Sequence, residues 1–274
     1  MSKEQSAVGI LSRQVQKWSA TGIGETSDQL IIEEALEIRV LYLQQQYQVA
    51  ITMRTPGADY ELALGFLYSE AIISSLEEVA DWEQLEDQVI LIKLHPHASF
   101  TPKSLQRNTF VSSSCGVCGK ASLDQLQTHS QYLPWSAKTT FSPTTICKLP
   151  EQSRAAQHLF QQTGGNHSVS IFNPEGQLIY LAEDVGRHNA MDKAIGWALL
   201  NDQLPLSSAM ILLSGRASFE LVQKAMMVGL PLLAAIGAPS SAAVTLADET
   251  GMTLLGFLKA DRANVYCHGE RLQA

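Results

Sequence analysis

The sequence predicts a mixed α/β protein in two parts, a smaller N-terminal α+β part and a larger C-terminal part in which strands alternate with helices. Two observations carry this. First, Ile38, Val40 and Tyr42 alternate with Arg39 and Leu41, and Val49, Ile51 and Met53 alternate beyond the polar Gln44-Gln45-Gln46. That is the period and turn of an antiparallel hairpin. Second, beyond residue 176 short apolar runs lead repeatedly into helical periodicity, the pattern of a mostly parallel sheet covered on both faces.

Taken in order, residues 1–30 are polar and read as poorly ordered. Residues 31–105 form the α+β domain. Pro56-Gly57 stops the hairpin, and Asp59 is placed to cap a helix on which Leu62, Ala63, Phe66, Leu67 and Glu70 recur at helical spacing. Val89 to Leu94 is a further strand. Residues 95 to 145 are rich in Ser, Thr, Pro and His, and 106–145 reads as a long mobile connection, a length that usually carries function. In 146–274 the predicted strands are Gln177 to Ala182, Ala209 to Leu213, Pro231 to Ile236 and Met252 to Lys259. The helices between them are Asn189 to Leu199, Ala217 to Val228 and Ala242 to Thr250, the last ended by Gly251.

Composition narrows the function classes. At 274 residues, 45% hydrophobic and 17% charged, the chain buries a sizeable core and looks like a folded enzyme. A net charge of −8 argues against nucleic-acid binding, which rests on neutralising phosphates with Lys and Arg. A small phosphorylated ligand needs only a few well-placed donors and is not excluded. No uncharged apolar run spans a bilayer, since the longest, Met226 to Ala238, is broken by Gly229, Pro231 and Gly237. Met1 to Ser6 carry no apolar signal stretch, so the expected compartment is a reducing cytoplasm.

Of four cysteines, only Cys115 and Cys118 are close in sequence, in Cys115-Gly116-Val117-Cys118-Gly119-Lys120. In a cytoplasmic chain this reads as thiol or metal chemistry rather than a disulfide scaffold. The thiolate is the nucleophile, and Lys120 with exposed backbone donors would lower a thiol pKa. Redox or sulfur transfer, half of a zinc site, and an incidental pair all fit the motif alone. Zinc needs further ligands, to be recruited singly from Cys147, Cys267 or a histidine. A zinc deaminase needs His-x-Glu ahead of its cysteines, whereas His268-Gly269-Glu270 comes after them.

Glu183-Asp184-Val185-Gly186-Arg187-His188-Asn189 lies between a strand and a helix, where α/β sheets open a crevice. The plain alternative is that Asp184, Arg187 and Asn189 cap and bridge the junction, with Asn189 as the helix cap. Equivalent positions recur as Ser214-Gly215-Arg216-Ala217-Ser218 and Pro239-Ser240-Ser241, where helix N-termini leave N–H groups free for an anion. Phe257-Leu258-Lys259-Ala260-Asp261-Arg262 adds two cations after the last strand, or is a solvated strand end.

Together these residues resemble the formate dehydrogenase accessory sulfurtransferases, the FdhD (NarQ) family. The matching elements are Leu62-Ala63-Leu64-Gly65-Phe66, Cys115 to Gly119, Glu183 to Lys193, Ser214 to Lys224, and Leu255-Gly256-Phe257, in the family's order. The resemblance implies a C-terminal three-layer domain of the cytidine-deaminase-like fold without its zinc motif, no structural metal, and a homodimer. It implies a sulfurtransferase that takes persulfide sulfur from a cysteine desulfurase and passes it to the molybdenum bis(molybdopterin guanine dinucleotide) cofactor, as formate dehydrogenase requires. Cys115 then corresponds to the persulfide carrier and Cys118 to its partner. Phe257, Leu258, Lys259, Ala260, Asp261 and Arg262 match the cofactor-binding segment, with Asp184, Arg187, His188, Ser214 and Arg216 as further candidates. Family members can read Lys-Pro-Gly-Arg where this chain has Lys259-Ala260-Asp261-Arg262, which adds a negative charge. A cofactor-binding chaperone that handles no sulfur is the alternative, and a zinc-held structural protein is a second.

Overall fold

The computed structural model describes residues 9–102, 132 and 134–273. Three sheets organise them. A two-stranded ribbon pairs β1 (Ile10–Ser19) with β2 (Gly22–Ile31). A four-stranded sheet combines β3 (Glu34–Tyr42), β4 (Gln45–Arg54), β5 (Val79–Glu86) and β6 (Val89–Leu94) in the order β4-β3-β6-β5. A six-stranded sheet takes β7 (His167–Phe172), β8 (Leu178–Asp184), β9 (Met210–Leu213), β10 (Leu232–Ala235), β11 (Thr253–Gly256) and β12 (Asn264–Cys267) in the order β12-β11-β10-β9-β7-β8.

Alternation along each central strand covers both faces of the large sheet. Ile211, Leu213, Leu233, Ala235 and Leu254 point into one buried cluster. There they meet α5 (Arg187–Leu200), α6 (Phe219–Met227) and α7 (Ser241–Glu249) through Met191, Ile195, Val222, Met226 and Leu246. Met210, Leu212, Leu232, Ala234 and Leu255 point the other way, against Phe141, Ile146 of α2 (Pro143–Ile146) and Leu149 of α3 (Leu149–Ala156). A short α4 (His158–Thr163) follows.

The smaller sheet joins the first cluster through α1 (Asp59–Ser69). Leu36, Ile38, Val40, Ile90 and Ile92 are fully buried beneath Leu62, Leu64 and Leu67. Each such side chain contributes about 1.5–3 kcal/mol by leaving water. On its opposite side α1 crosses α5 with backbones in contact. A Cβ on Gly65 would lie 1.8 Å from the Asp192 carbonyl oxygen, and one on Gly196 would lie 1.9 Å from that of Glu61.

The structure departs from the sequence reading at several points. Of residues 1–30, expected to be poorly ordered, residues 10–30 form the ribbon together with Ile31. The large sheet is parallel only at β9, β10 and β11, because β7 and β12, neither of them anticipated, pair antiparallel with their neighbours. The last parallel strand ends at Gly256 rather than Lys259, since Phe257 turns the chain with φ +53°. Asp59 is the first residue inside α1 rather than its cap, and its carboxylate instead takes the Arg54 guanidinium at 2.9 Å through both oxygens. Asn189 lies within α5, whose cap position is Gly186.

Candidate functional site: a crevice at the strand ends

The register puts the separate polar segments at one end of the large sheet. β7 runs opposite to β9, with Val169 facing Leu213, and His167 at its start pairs with Asp184 at the end of β8. The ends of β8, β9, β10 and β11 therefore share one edge. Asp184, Ser214, Arg216 and the stretch Phe257 to Arg262 all lie there, with Arg187 and His188 in the first turn of α5. The loops are held to each other by main-chain bonds. Gly237 N–H donates to the Gly215 carbonyl at 2.9 Å, and Phe257 N–H donates to the Gly237 carbonyl at 3.1 Å.

Asp184 organises this edge from inside. Its fully buried carboxylate accepts from Thr55 N–H (3.1 Å), Gly186 N–H (2.8 Å) and Asn189 Nδ2 (3.1 Å), and pairs with Lys193 Nζ at 2.8 Å. Thr55 returns a bond by accepting Val185 N–H at 3.0 Å, so the smaller sheet is stitched to the β8–α5 junction. Asn189 adds bonds to Thr52 Oγ1 and the Met53 carbonyl. For Asp184 and Asn189 the plain alternative holds: both brace the junction. Glu183 is likewise committed, accepting from Leu159 and Phe160 N–H at the start of α4 and from Asn166 Nδ2.

Arg187 differs, since its side chain makes no hydrogen bond or ion pair among the described residues. Its charge acts on two imidazoles. Burial, then Arg187 and Lys224, push His188 down to about 4 against the opposing pull of Glu220 and Glu70. Burial and Arg187 also hold His167 below its ordinary value, with Asp184 opposing. His188 Nε2 lies 3.4 Å from Ser218 Oγ and 3.8 Å from Glu220. At neutral pH the edge thus presents a free guanidinium between uncharged imidazoles.

Behind it lies a charge set in which Asp192 and Lys224 are buried and Glu70 is partly exposed. Lys224 Nζ donates to Asp192 (2.8 Å), Ser69 Oγ (2.7 Å) and Glu70 (3.2 Å), tying α6 to α5 and α1. Burial raises Asp192 to about 6 against the pull of Lys224. Burial alone would lower Lys224, and the Asp192 and Glu70 carboxylates overcome it.

Among the remaining candidates, Ser214 Oγ accepts Ser168 N–H at 2.8 Å and extends the β7–β9 ladder, while Arg216 is exposed. Phe257, Lys259, Ala260, Asp261 and Arg262 are exposed and Leu258 is buried as their anchor. Asp261 faces Arg262 at 3.6 Å, so the departing acid sits against a cation of its own segment. Cys115 and Cys118 lie outside the described residues. A cleft of about 570 Å³ opens beside the strand ends, lined by Arg154, Gln157, Phe160, Asn166, His167 and Ser214. Of these only Ser214 was anticipated. His167-Ser168-Val169-Ser170-Ile171 carries the period-two signal that would have revealed β7 and its first residue. Among the described residues no three His, Cys, Asp or Glu side chains are grouped to hold a metal, and no helix is long and apolar enough to cross a membrane.

These features define a mixed α/β protein with a strand-end crevice edged by cations and helix N-termini. The chain belongs to the FdhD/NarQ family, whose model matches residues 31–273. It is 45% identical over 252 residues to a sulfur carrier protein FdhD of Mycolicibacterium paratuberculosis, covering 89% of this chain and 91% of that one. It is 42% identical over 246 residues to the protein of the same name from Saccharolobus solfataricus, covering 90% and 91%. A crystal structure of a Desulfotalea psychrophila protein, described as a candidate formate dehydrogenase accessory protein, shares the fold. The TM-score is 0.76 at 23% identity, over 96% of this chain and 99% of that one.

Proposed function

We propose that this chain is a sulfurtransferase that carries sulfur as a persulfide on Cys115 and delivers it to the molybdenum bis(molybdopterin guanine dinucleotide) cofactor for formate dehydrogenase. The observation that carries the reading is the convergence of Arg187, Ser214, Arg216 and the Phe257–Arg262 segment on one sheet end, in a chain whose relatives are named sulfur carriers. A crevice with a free guanidinium, exposed cations and helix N-termini suits the diphosphates of guanine nucleotide arms. The C-terminal sheet, with helices on one face and residues 141–156 on the other, is read as the cytidine-deaminase-like three-layer arrangement.

The chemistry runs in two exchanges. The Cys115 thiolate attacks the outer sulfur of a cysteine desulfurase persulfide; that S–S bond breaks and the desulfurase thiolate leaves. The Cys118 thiolate then attacks the Cys115 sulfur, and the outer sulfur departs as sulfide to the metal of the bound cofactor. The resulting Cys115–Cys118 disulfide is reset by a dithiol reductant. The protein supplies positioning of the cargo. It acts in the cytoplasm as a homodimer and needs no structural metal, and Asp261, where family members can carry glycine, lies 3.6 Å from Arg262. The test is dehydrogenase maturation in a strain whose only copy is Cys115→Ala. Activity is lost with folding intact on this reading; full activity would leave the chaperone alternative.

A further inference from the structure

The cleft beside the strand ends holds polar groups that the chemistry above leaves unused. Its wall includes Gln157, in the link between α3 and α4, and Asn166, just ahead of β7, both more than nine-tenths buried. Gln157 gives its Nε2 to Ser168 Oγ at 2.8 Å and Ser153 Oγ at 3.1 Å, which leaves its Oε1 without a partner among the described residues. Asn166 gives its Nδ2 to Glu183 at 2.9 Å, and its Oδ1 is buried with no hydrogen-bond partner. A carboxylate only accepts, so Glu183 fixes which end of that amide is the oxygen. Arg154, exposed on the same wall, lies 4.1 Å from the centroid of the Phe160 ring. Its guanidinium makes no hydrogen bond or ion pair among the described residues.

We propose that this cleft reads a fused 2-amino-4-oxopyrimidine ring, with the amide oxygens of Gln157 and Asn166 accepting its two neighbouring donors and Arg154 donating to its carbonyl. Leaving a buried polar atom unpaired is costly, so two such oxygens in one cleft call for a ligand rich in N–H groups. Adenine, cytosine and uracil each present a single donor group along the pairing edge. The 2-amino-4-oxopyrimidine edge presents an amine, a ring N–H and a carbonyl, and two acceptors with one cation are its complement. Glu183 strengthens the match by polarising the Asn166 amide, which makes Oδ1 a better acceptor. Phe160, Leu212 and Ile236 add apolar surface for the flat ring, and a volume of about 570 Å³ admits it with a sugar or side chain attached. The inference rests on the cargo proposed above, which carries this ring in both its guanine and its pterin parts.

Titration calorimetry of the full chain with GDP, IDP and ADP reads the edge, because IDP differs from GDP only in lacking the 2-amino group. GDP binds roughly tenfold more tightly than IDP, the size of one hydrogen bond to a buried acceptor, and ADP binds no better than IDP. Asn166→Leu, close in volume, narrows the GDP preference to roughly twofold or less. Arg154→Gln changes an exposed side chain and weakens GDP by roughly threefold or more, so it still tests the location if circular dichroism shows Asn166→Leu to be misfolded. Guanosine and 6-hydroxymethylpterin then compete against GDP. Displacement at a lower concentration of guanosine seats the nucleotide end of the cargo in the cleft, and displacement at a lower concentration of the pterin seats the metal-bearing end. Equal affinity for GDP and IDP, a full preference in folded Asn166→Leu, unchanged GDP affinity in Arg154→Gln, or displacement by neither compound overturns the proposal and leaves the phosphate contacts of the crevice standing. A wild type that binds none of the nucleotides overturns the crevice reading as well.

Discussion

Gly65 and Gly196 face each other where α1 crosses α5, each lying against the opposing helix backbone in space that a methyl group would need. This crossing fuses the smaller sheet to the larger one and fixes α5, which carries Arg187 and His188 at its start. Gly65→Ala and Gly196→Ala should each cost about 1–3 kcal/mol or more, because the clashing atoms are backbone and cannot rotate away. Denaturant midpoints measure this, and a midpoint equal to wild type would show that the helices part without loss.

Asp184 has only donors around it, so Asp184→Asn turns an amide N–H₂ toward a donor and leaves Lys193 without its charge partner. Removing one member of such a buried pair costs about 3–5 kcal/mol. Nucleotide binding should fall only through lost folding, so a variant that is fully folded yet unable to bind would move Asp184 from brace to ligand contact.

The histidine at the crevice sets a pH dependence whose sign follows from its depression. His188 titrates at about 4 in the fold and near 6.5 unfolded, so the unfolded chain takes up its proton first as pH falls. Its contribution to stability is complete above about 6.5, declines toward 4 and is level below that. His188→Gln should flatten this part of the profile. Nuclear magnetic resonance of the imidazole should find it neutral at pH 7, and a midpoint above 6.5 would contradict the burial argument.

Much of this arrangement was legible in the sequence, and the misses share a cause. The β3–β4 hairpin and the α6 and α7 helices announce themselves because one face is apolar and the other is not, whereas α5 is buried nearly all round and is marked by its place after β8. β1 and β2 bury almost nothing, so no apolar period marks them. β7 was missed although Ser168 and Ser170 alternate with Val169 and Ile171, and the alternation understates its burial, since both serines are buried and satisfied by Gln157 and Ser153 rather than by water. The polar clusters after β8, β9 and β11 were readable as one site because strand ends of an α/β sheet converge. The inward roles of Lys193 and Lys224 were not, since a lysine on a helix ordinarily faces solvent.

GDP alone should bind the crevice independently of the cysteines. Lys259→Ala and Arg262→Ala each remove an exposed cation, for an expected loss of about 0.5–1.5 kcal/mol, roughly two- to tenfold in Kd. Arg187→Ala removes a half-buried cation whose side chain has no hydrogen-bond or ion-pair partner among the described residues and should weaken binding at least as much. Titration calorimetry decides. Equal binding by all three variants would move the phosphates toward Ser214 to Ser218 or Ser240-Ser241.

The central claim is that Cys115 holds sulfur in transit, and intact mass reads it directly. The protein is incubated with a cysteine desulfurase and cysteine, then measured with and without a reductant. Wild type should gain the mass of one sulfur atom, lost on reduction, and Cys115→Ala should gain none, while Cys147→Ser and Cys267→Ser behave as wild type. Wild-type protein that gains no sulfur, or a Cys115→Ala variant that gains as much as wild type, would contradict the account.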